Sequence, residues 1–348
     1  MKIRKAGESL NLLTMGILLM ALIFILIIAD LLTGSMDLRL GDIFTHLFKE
    51  NDGSVAWLSL HEFRIPRLVT AIISGIGLSV SGLQMQTVFR NPLAGPYVLG
   101  ISSGAGLGVA LMVLGLPGLF RYSVISSGNS FLLIIAAFIG SGTILFLILL
   151  LSIRLRNVMT ILILGIMLGS GISAIISILQ YFSQESALKA FVIWTMGSLN
   201  GVTREQLPYL LGGFIPGILL ALFIIKPSNA MLMGENYAKS IGVNIRKYRV
   251  LLFTSTALLT GTITAFCGPI GFIGIAVPHI ARMLTGTSRF GILFLFSVLT
   301  GSTVMLLSDI FSQFPGSDMI LPLNAVTSLI GIPVVIWIVT SRKSMYTQ

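Results

Sequence analysis

Charged residues are scarce in this chain: they make up 10% of its 348 residues, whereas 55% are hydrophobic. Soluble domains carry about 25% charged residues, so a soluble protein is excluded. The one cysteine, Cys267, excludes an internal disulfide and a cluster of thiolate metal ligands. No GxxxxGK(S/T) phosphate loop occurs, so the chain cannot by itself hydrolyse ATP in the P-loop manner. HExxH and Ser/His/Asp arrangements are also absent, which argues against an intramembrane protease.

Long apolar runs dominate what remains. At about 20 apolar residues per crossing, the chain has room for roughly eight to eleven helices with short loops. The runs are continuous and do not alternate, unlike the strands of an outer-membrane barrel. We therefore predict an all-α integral membrane protein with one transmembrane domain over residues 1–348 and ten helices. They cover about 10–33, 65–89, 97–116, 130–152, 158–181, 207–225, 248–266, 270–278, 291–308 and 321–340.

Basic residues predict how these helices are oriented. The basic N-terminus precedes an apolar run of about 23 residues without a small-residue cleavage site, so we expect an uncleaved first helix. Ten crossings then place both termini in the cytoplasm. The cytoplasmic segments hold 15 of the 22 basic residues and two of the 12 acids, in line with the positive-inside rule. These basic residues are Lys2, Arg4, Lys5, Arg90, Arg154, Arg156, Lys226, Lys239, Arg246, Lys247, Arg249, Arg282, Arg289, Arg342 and Lys343. The net charge of +10 therefore indicates orientation and not nucleic-acid binding.

The stretch 64–108 combines two glycine-rich apolar segments with a break between them. Residues 90–96 contain Asn91, Pro92 and Pro96, which interrupt helical hydrogen bonding and predict a turn. A break at membrane depth must be covered by protein or reached by water, so we expect it beside a pathway. The small-residue stripes 100-104-108 and 165-169 predict close helix packing and by themselves indicate no function.

Arg64 and Arg67 lie three residues apart at the predicted outer end of the second helix. Two explanations are open. They are either anchors that extend to the membrane interface or a basic surface that binds an acidic partner.

The loop 226–246 is the longest predicted cytoplasmic segment. Asn229 could cap a short helix there, and Met231, Leu232 and Met233 form an apolar edge. Gly234 predicts a break before a second short helix, which Gly242 ends. Two short amphipathic helices suit a partner's groove, and a loop lying on the membrane surface is the alternative.

Isolated polar residues occur in or beside the apolar segments. His279, at the predicted end of the short helix 270–278, is expected to be a capping or packing residue because no metal-ligand set surrounds it. Asp309 is expected at the outer membrane interface, at the start of a loop 309–318. Gln84, Gln86, Gln180 and Asn324 could line a hydrophilic path or bond across helices.

Several longer motifs resemble one family. RIPRLVTAIISGIGLSVSGLQMQTVFRNPLAGPYVLGISSGAGLG, WTMGSLNGV, GENYAKSIGVN, GPIGFIGIAVPHIARMLTG and LPLNAVTSLIGIPVVIWI are similar to ABC-importer permeases for iron-siderophores, haem and vitamin B12. The resemblance to this FecCD/BtuC-like family implies a type II ABC importer permease fold in the bacterial cytoplasmic (inner) membrane. It further implies a homodimer or a pair with a paralogue, two cytoplasmic ATPase subunits that bind ATP, and an extracytoplasmic substrate-binding protein. The permease would be no enzyme and would hold no cofactor or metal.

The resemblance also assigns roles by position. Arg64 and Arg67 match arginines that receive acidic residues of the binding protein. Asn91, Pro92 and Leu93 match a cytoplasmic gate, to which the loop with Val158 and Met159 contributes. Gln313 stands where relatives often carry a further docking arginine. The segment from Met231 to Val243 matches the coupling helices in the ATPase groove, with Met231, Leu232, Gly234, Glu235, Ala238, Ser240 and Gly242 as its contact residues.

The mechanism that follows is alternating access. Docking of the loaded binding protein and closure of the ATPases would move the coupling helices and switch the gates, while an intact iron chelate crosses a broad, weakly binding path. Vitamin B12 or haem are alternative cargoes. An ion-coupled carrier is the rival function, and an intramembrane enzyme using His279 and Asp309 is a poorer one, since these residues are predicted near opposite faces.

Overall fold

The structure is a computed structural model that describes residues 2–34, 36, 38–47, 52–115, 130–155, 157–313 and 320–340. The side chains of residues 2–10, 130, 153, 154, 338 and 339 are not described. Residues outside the described part include the predicted outer loop around 117–128, residues 314–318 of the predicted loop 309–318, and the basic residues Arg156, Arg342 and Lys343.

All regular elements in the described part are helical, which confirms the predicted fold class. A one-turn 3-10 helix covers Pro96–Leu99. The fourteen helices are α1 (Lys2–Leu32), α2 (Leu40–Leu47), α3 (Val55–Phe89), α4 (Ile101–Gly115), α5 (Ser130–Arg154), α6 (Val158–Tyr181), α7 (Glu185–Thr195), α8 (Leu207–Phe223), α9 (Ile225–Leu232), α10 (Glu235–Ser240), α11 (Ile245–Cys267), α12 (Ile273–Thr285), α13 (Phe290–Ser312) and α14 (Leu323–Thr340).

Within the described residues, six helices are long and apolar enough to cross a membrane: α1, α3, α5, α6, α11 and α13. The pair α8 and α9 passes the same test together but bends by 48° between its two parts. Three shorter apolar segments are α4, α12 and most of α14. The protein is therefore a multi-pass membrane protein, and the count of ten crossings stays a prediction.

The helix α3 is longer than predicted. It begins at Val55, where the Ser54 hydroxyl accepts a hydrogen bond from the Trp57 amide (3.1 Å). Residues 59–64 form π-helical turns directly before Pro66, whose missing N–H cannot continue an α-helical bond pattern. Together with α2, this extension adds helical structure between the first two predicted helices.

The predicted break after α3 is confirmed. Arg90 ends the helix in the left-handed conformation (φ 49°), and the Asn91 side chain accepts a hydrogen bond from the Leu93 amide (3.0 Å). The chain then forms the 3-10 helix and turns again at Gly100 (φ 76°) before α4 begins. Two helix ends and a capping side chain thus account for the irregular backbone.

The predicted short helix 270–278 is present, but it is shifted to Ile273–Thr285, so His279 lies in its interior and not at its end. Its 13 residues extend about 20 Å, less than the roughly 30 Å of a bilayer core. It packs closely on the last third of α3, because a Cβ added at Gly82 would lie 1.7 Å from the Gly274 carbonyl oxygen. The short α12 therefore begins beside residues 78–82 of α3.

The core is organised around α3, most of whose residues from Pro66 to Phe89 are buried. Backbone-to-backbone contact with α13 is possible because glycines face each other there: a Cβ at Gly75 would lie 2.3 Å from the Gly301 oxygen. The Ser79 hydroxyl donates to the Ser297 carbonyl across the same interface (2.8 Å). By contrast, α1 and α6 expose most of their apolar residues at the periphery of the subunit.

Candidate functional site

A groove runs between α4 and α6. It consists of two adjoining cavities of about 450 and 310 Å³, which share Ser103 and Ser173 as lining residues. Every residue that lines these cavities is uncharged. Those that carry a hydroxyl, amide or indole are Tyr97, Ser102, Ser103, Ser170, Ser173, Ser177, Gln180, Trp194 and Thr195. We call this surface the serine groove.

The serines of α6 face the groove because they recur at helical spacing. Ser170, Ser173 and Ser177 lie three and four residues apart, which places them on one face of the helix. Each hydroxyl donates to the backbone carbonyl four residues earlier, at 2.9–3.0 Å. Because their protons are bonded within the helix, these hydroxyls present acceptor lone pairs to the groove.

The small-residue stripes predicted from sequence are packing contacts beside this groove. A Cβ at Gly165 would lie 2.4 Å from the Val98 oxygen, and one at Gly104 would lie 2.6 Å from the Gly140 oxygen. The helices α5 and α6 therefore approach the α4 region to backbone contact.

Tyr97 fastens one wall of the groove to the turn before α12. Its hydroxyl donates to the Ile270 carbonyl and accepts from the Ile270 amide (3.1 Å). The same turn is held by α14, where the Asn324 side chain accepts from the Gly271 amide (2.9 Å). Sequence reasoning missed Tyr97 and the serine groove, although the helical spacing of serines in an apolar segment was a signal that could have found the groove.

A separate cavity of about 650 Å³ lies at the end of the bundle where α3 ends. Its lining brings together two groups of residues that the sequence analysis assigned separately: the predicted gate residues Val158 and Met159, and the predicted coupling residues Met231, Gly234 and Glu235. Arg90, one residue before Asn91, also lines it. We call this the coupling cavity, and the roles of the residues around it stay predictions.

The remaining predicted coupling residues lie on the same short helices. The prediction of two helices separated by Gly234 is confirmed by α9 and α10. Leu232 is 44% exposed at the end of α9, whereas Ala238 is fully buried in α10. Ser240 ends α10 and is exposed, and Gly242 follows with φ 88°.

The expected cap at Asn229 is wrong, because this residue lies inside α9. Its Nδ2 donates to the Ile225 carbonyl (3.2 Å), and its Oδ1 accepts a hydrogen bond from the Phe290 amide at the start of α13 (2.8 Å). Asn229 therefore links two helices and does not begin one.

Arg64 and Arg67 are both buried in this structure, and their docking role stays a prediction. Their exposed fractions are 3% and 7%. Arg64 donates to the carbonyls of Leu31 and Met36, and Arg67 donates to the carbonyls of Asp30 (3.0 Å) and Thr33 (3.3 Å). The end of α1 and the residues after it thus cover both guanidinium groups.

Arg67 is also the centre of a buried ionic cluster. Its Nε lies 2.9 Å from Asp309 Oδ2, and its Nη2 lies 3.6 Å from Asp30 Oδ1. Asp309 does not begin a loop, because α13 continues to Ser312 and Asp309 is 1% exposed within it. Its place at the outer membrane interface stays a prediction. Asp30, which is fully buried, was overlooked in the sequence because it lies in an otherwise apolar run.

Gln84, Gln86, Gln180 and Asn324 were expected either to line a hydrophilic path or to bond across helices, and both roles occur. Gln84 bonds to Ser255 (2.9 Å) and Thr256 (2.7 Å) of α11, and Asn324 bonds across helices as described. Gln86 donates to the Ile275 carbonyl of α12 (3.1 Å). Gln180 lines the serine groove.

His279 is a packing residue, as expected. It is 1% exposed and contacts the Trp337 ring edge-on, with a centroid distance of 6.3 Å. Among the described residues, no group of three or more His, Cys, Asp or Glu side chains could hold a metal ion.

The comparison with known proteins agrees with this architecture. Residues 21–341 match the model of the FecCD transport family. The chain is similar to the hemin transport system permease protein HmuU of Yersinia pestis, with 32% identity over 95% of this chain and 96% of that one. It is also similar to the vitamin B12 import system permease protein BtuC of Klebsiella pneumoniae, with 33% identity over 82% and 86% of the two chains.

A solved structure described as a metal-chelate type ABC transporter in an inward-facing conformation has the same fold. Its TM-score is 0.79 at 28% identity, and the match covers 94% of this chain and 99% of that one. The family model and the full-length relatives agree with the motifs read in the sequence: this chain belongs to the FecCD transport family of ABC transporter permeases.

Proposed function

We propose that this chain is the permease subunit of a binding-protein-dependent ABC importer that moves an iron(III)-siderophore-type chelate into the cytoplasm. Relatives named for haem and vitamin B12 and a structural neighbour named for metal chelates support large chelates as the cargo class. Haem and vitamin B12 are the alternatives within that class.

The observation that carries the proposal is the serine groove. Its lining is uncharged, and the hydroxyls of Ser170, Ser173 and Ser177 donate within α6, so we expect weak affinity for any one solute. A large chelate needs a broad and weakly binding path, because a tight site would retain it. A translocation path along α4 and α6 therefore fits the surface that these helices present.

The same groove disfavours an ion-coupled carrier. Coupling to protons or sodium ions needs ionisable or ion-binding groups on the path. Asp30 and Asp309 lie within membrane-spanning helices, but both are paired with Arg67, and neither lines the groove.

In the proposed assembly, ATP hydrolysis by partner subunits supplies the energy for transport. Two permeases, identical or paralogous, would join two cytoplasmic ATPase subunits at α9 and α10 and an extracytoplasmic binding protein at the opposite face. Residues 1–348 would form one domain in the inner membrane with both termini cytoplasmic, and ATP would bind to the partner alone. Docking through Arg64 and Arg67 would require the end of α1 to uncover them, since both are now buried.

The test is uptake into proteoliposomes that contain the permease, the cognate ATPase and the binding protein. A panel of ferric hydroxamate, ferric catecholate, haem and vitamin B12 should yield uptake of one class that requires ATP inside and survives an uncoupler. Uptake that an uncoupler abolishes and ATP depletion does not would instead establish the ion-coupled carrier.

A further inference from the structure

The segment 225–242, which contains α9 and α10, is fastened to the membrane core by polar contacts. Ser228 Oγ and the Tyr248 hydroxyl of α11 lie 3.2 Å apart, and Asn229 accepts from the Phe290 amide of α13 (2.8 Å). These groups are buried or half-buried, so water competes weakly for them. These contacts hold α9 to α11 and α13. The second helix of the segment, α10, needs a contact of its own.

Arg249 links α10 to the membrane helix α11. It belongs to α11 and is 5% exposed, and its Nη2 donates to Glu235 Oε2 at 3.2 Å. Glu235 is the first residue of α10, so its carboxylate also lies at the helix terminus that favours negative charge. Lys239 contacts the other carboxylate oxygen at 3.2 Å, but its side chain is 57% exposed and belongs to the same short helix. Arg249 alone of these two cations joins α10 to another helix.

Arg90 makes the corresponding link to α9. It ends α3 in the left-handed conformation, and its Nη2 donates to the Met231 carbonyl at 3.3 Å. The next residues along the chain are Asn91, Pro92 and Leu93. If α9 moves and the bond between Arg90 and Met231 is kept, the end of α3 and the predicted gate residues beside it move with α9.

The coupling cavity explains why these two links matter. It separates α9 and α10 from Val158 and Met159 at the start of α6, so packing between the short helices and that end of α6 is incomplete. Ala230, Met231 and Ala238 also pack in one buried cluster with Val88 and Phe89, so part of any movement passes through direct packing. Arg90 and Arg249 line the coupling cavity and add side-chain links from α9 to the end of α3 and from α10 to α11.

We propose that Arg249 and Arg90 are positioning residues that transmit movement of the ATPase-facing segment to the helices that bear the gate. Arg249 holds α10 to α11 through Glu235, and Arg90 holds α9 to the end of α3. This inference rests on the proposed function. It adds the residues through which the ATPase partner acts.

Charge reversal tests the Arg249 link. In proteoliposomes with the partner subunits, the wild type is compared with Arg249→Glu, Glu235→Arg and the double reversal, with the transported member of the chelate panel as the probe. The measured quantity is chelate taken up per ATP hydrolysed. Co-purification of the ATPase is measured in parallel. Lys239→Ala is the matched control, because it removes the exposed partner of the same carboxylate.

We expect Arg249→Glu to retain the ATPase and its hydrolysis but to lower the uptake per ATP by about tenfold, the scale of a typical coupling free energy. Glu235→Arg should lower the same ratio. The double reversal should restore at least half of the wild-type ratio, and Lys239→Ala should leave it unchanged within about twofold. Arg90→Gln, which removes the charge but keeps a polar side chain, should also lower the ratio.

The inference is overturned if the wild type shows ATP-dependent uptake and Arg249→Glu takes up as much chelate per ATP hydrolysed as the wild type. It is also overturned if the single reversals lose the ATPase and the double reversal does not recover it, because the role is then structural. A wild type that shows no ATP-dependent uptake contradicts the proposed function itself, and the inference falls with it.

Discussion

Removing the guanidinium group of Arg67 is expected to destabilise the fold severely. In Arg67→Ala, the carboxylates of Asp30 and Asp309 stay buried, at 0% and 1% exposed, without the cation that now lies 3.6 and 2.9 Å from them. Breaking a buried ion pair by deleting one partner costs about 3–5 kcal/mol, mainly because the remaining charge is left desolvated. The helices α1, α3 and α13 lose their shared contact at the same time.

The assay is chemical unfolding of the purified protein in mixed micelles, with Arg204→Ala as the matched control. Arg204 pairs with Glu62 at 3.3 Å, but its side chain is 56% exposed, so its removal should cost about 0–1 kcal/mol. The neutral variant Asp30→Asn/Arg67→Met/Asp309→Asn should recover most of the loss, since no unpaired charge remains.

An Arg67→Ala variant no less stable than Arg204→Ala would refute this reasoning. If such a variant also lost only the stimulation of ATP hydrolysis by the binding protein, Arg67 would be a docking residue that becomes exposed in the assembled importer. The experiment therefore decides between an internal cluster and the docking role that the family resemblance implies.

Two further substitutions test the packing of the groove and of the short helix α12. Gly82→Ala should lower the free energy of unfolding by at least about 3 kcal/mol, because its Cβ would meet a backbone oxygen of α12 at 1.7 Å. Gly142→Ala should have little effect, because no atom lies within 4 Å of its added Cβ, and equal losses in the same micelle assay would contradict the close approach. Tyr97→Phe should cost about 1–3 kcal/mol, since it leaves the buried amide and carbonyl of Ile270 without their partner. Tyr181→Phe, at an 83% exposed tyrosine, should cost almost nothing, and a similar loss in both variants would show that the Tyr97 bonds contribute little.

Local chemistry made several elements predictable. The bounds 158–181 of α6 match the prediction, because Asn157 caps a long apolar run and its side chain accepts from the Met159 amide (2.9 Å). The break after Phe89 and the two short helices around Gly234 were predictable for the same reason, since Pro, Asn and Gly act on the backbone within a few residues.

Other features depend on partners that are distant in sequence. Arg64 and Arg67 have the spacing of an exposed pair, and their burial depends on carbonyls and an acid of α1 about 30 positions earlier and on Asp309 of α13. The position of α12 depends likewise on a glycine contact with α3. One sequence supplies spacing along a helix, but it does not show which helix faces which.

The serine groove was not predictable for a different reason. The motifs predicted gate and coupling segments, whereas the serines of α6 were assigned no role. Their significance depends on the groove that forms when α4 and α6 meet. Exposure of a neutral polar stripe can be recognised only once the neighbouring helices are in place.

The central claim, that cargo crosses along the serine groove, is tested most directly by thiol accessibility in the assembled transporter. In a Cys267→Ser background, Ser173→Cys should react with a membrane-impermeant maleimide at least about tenfold faster than Ile139→Cys, because a thiol ionises and reacts only where water reaches it. Ile139 is 66% exposed on an apolar face of α5, so it controls for exposure to lipid. The rate at Ser173→Cys should also change when ATP hydrolysis is trapped with vanadate. Equal, slow and nucleotide-independent labelling at both positions would contradict the claim and place the path elsewhere.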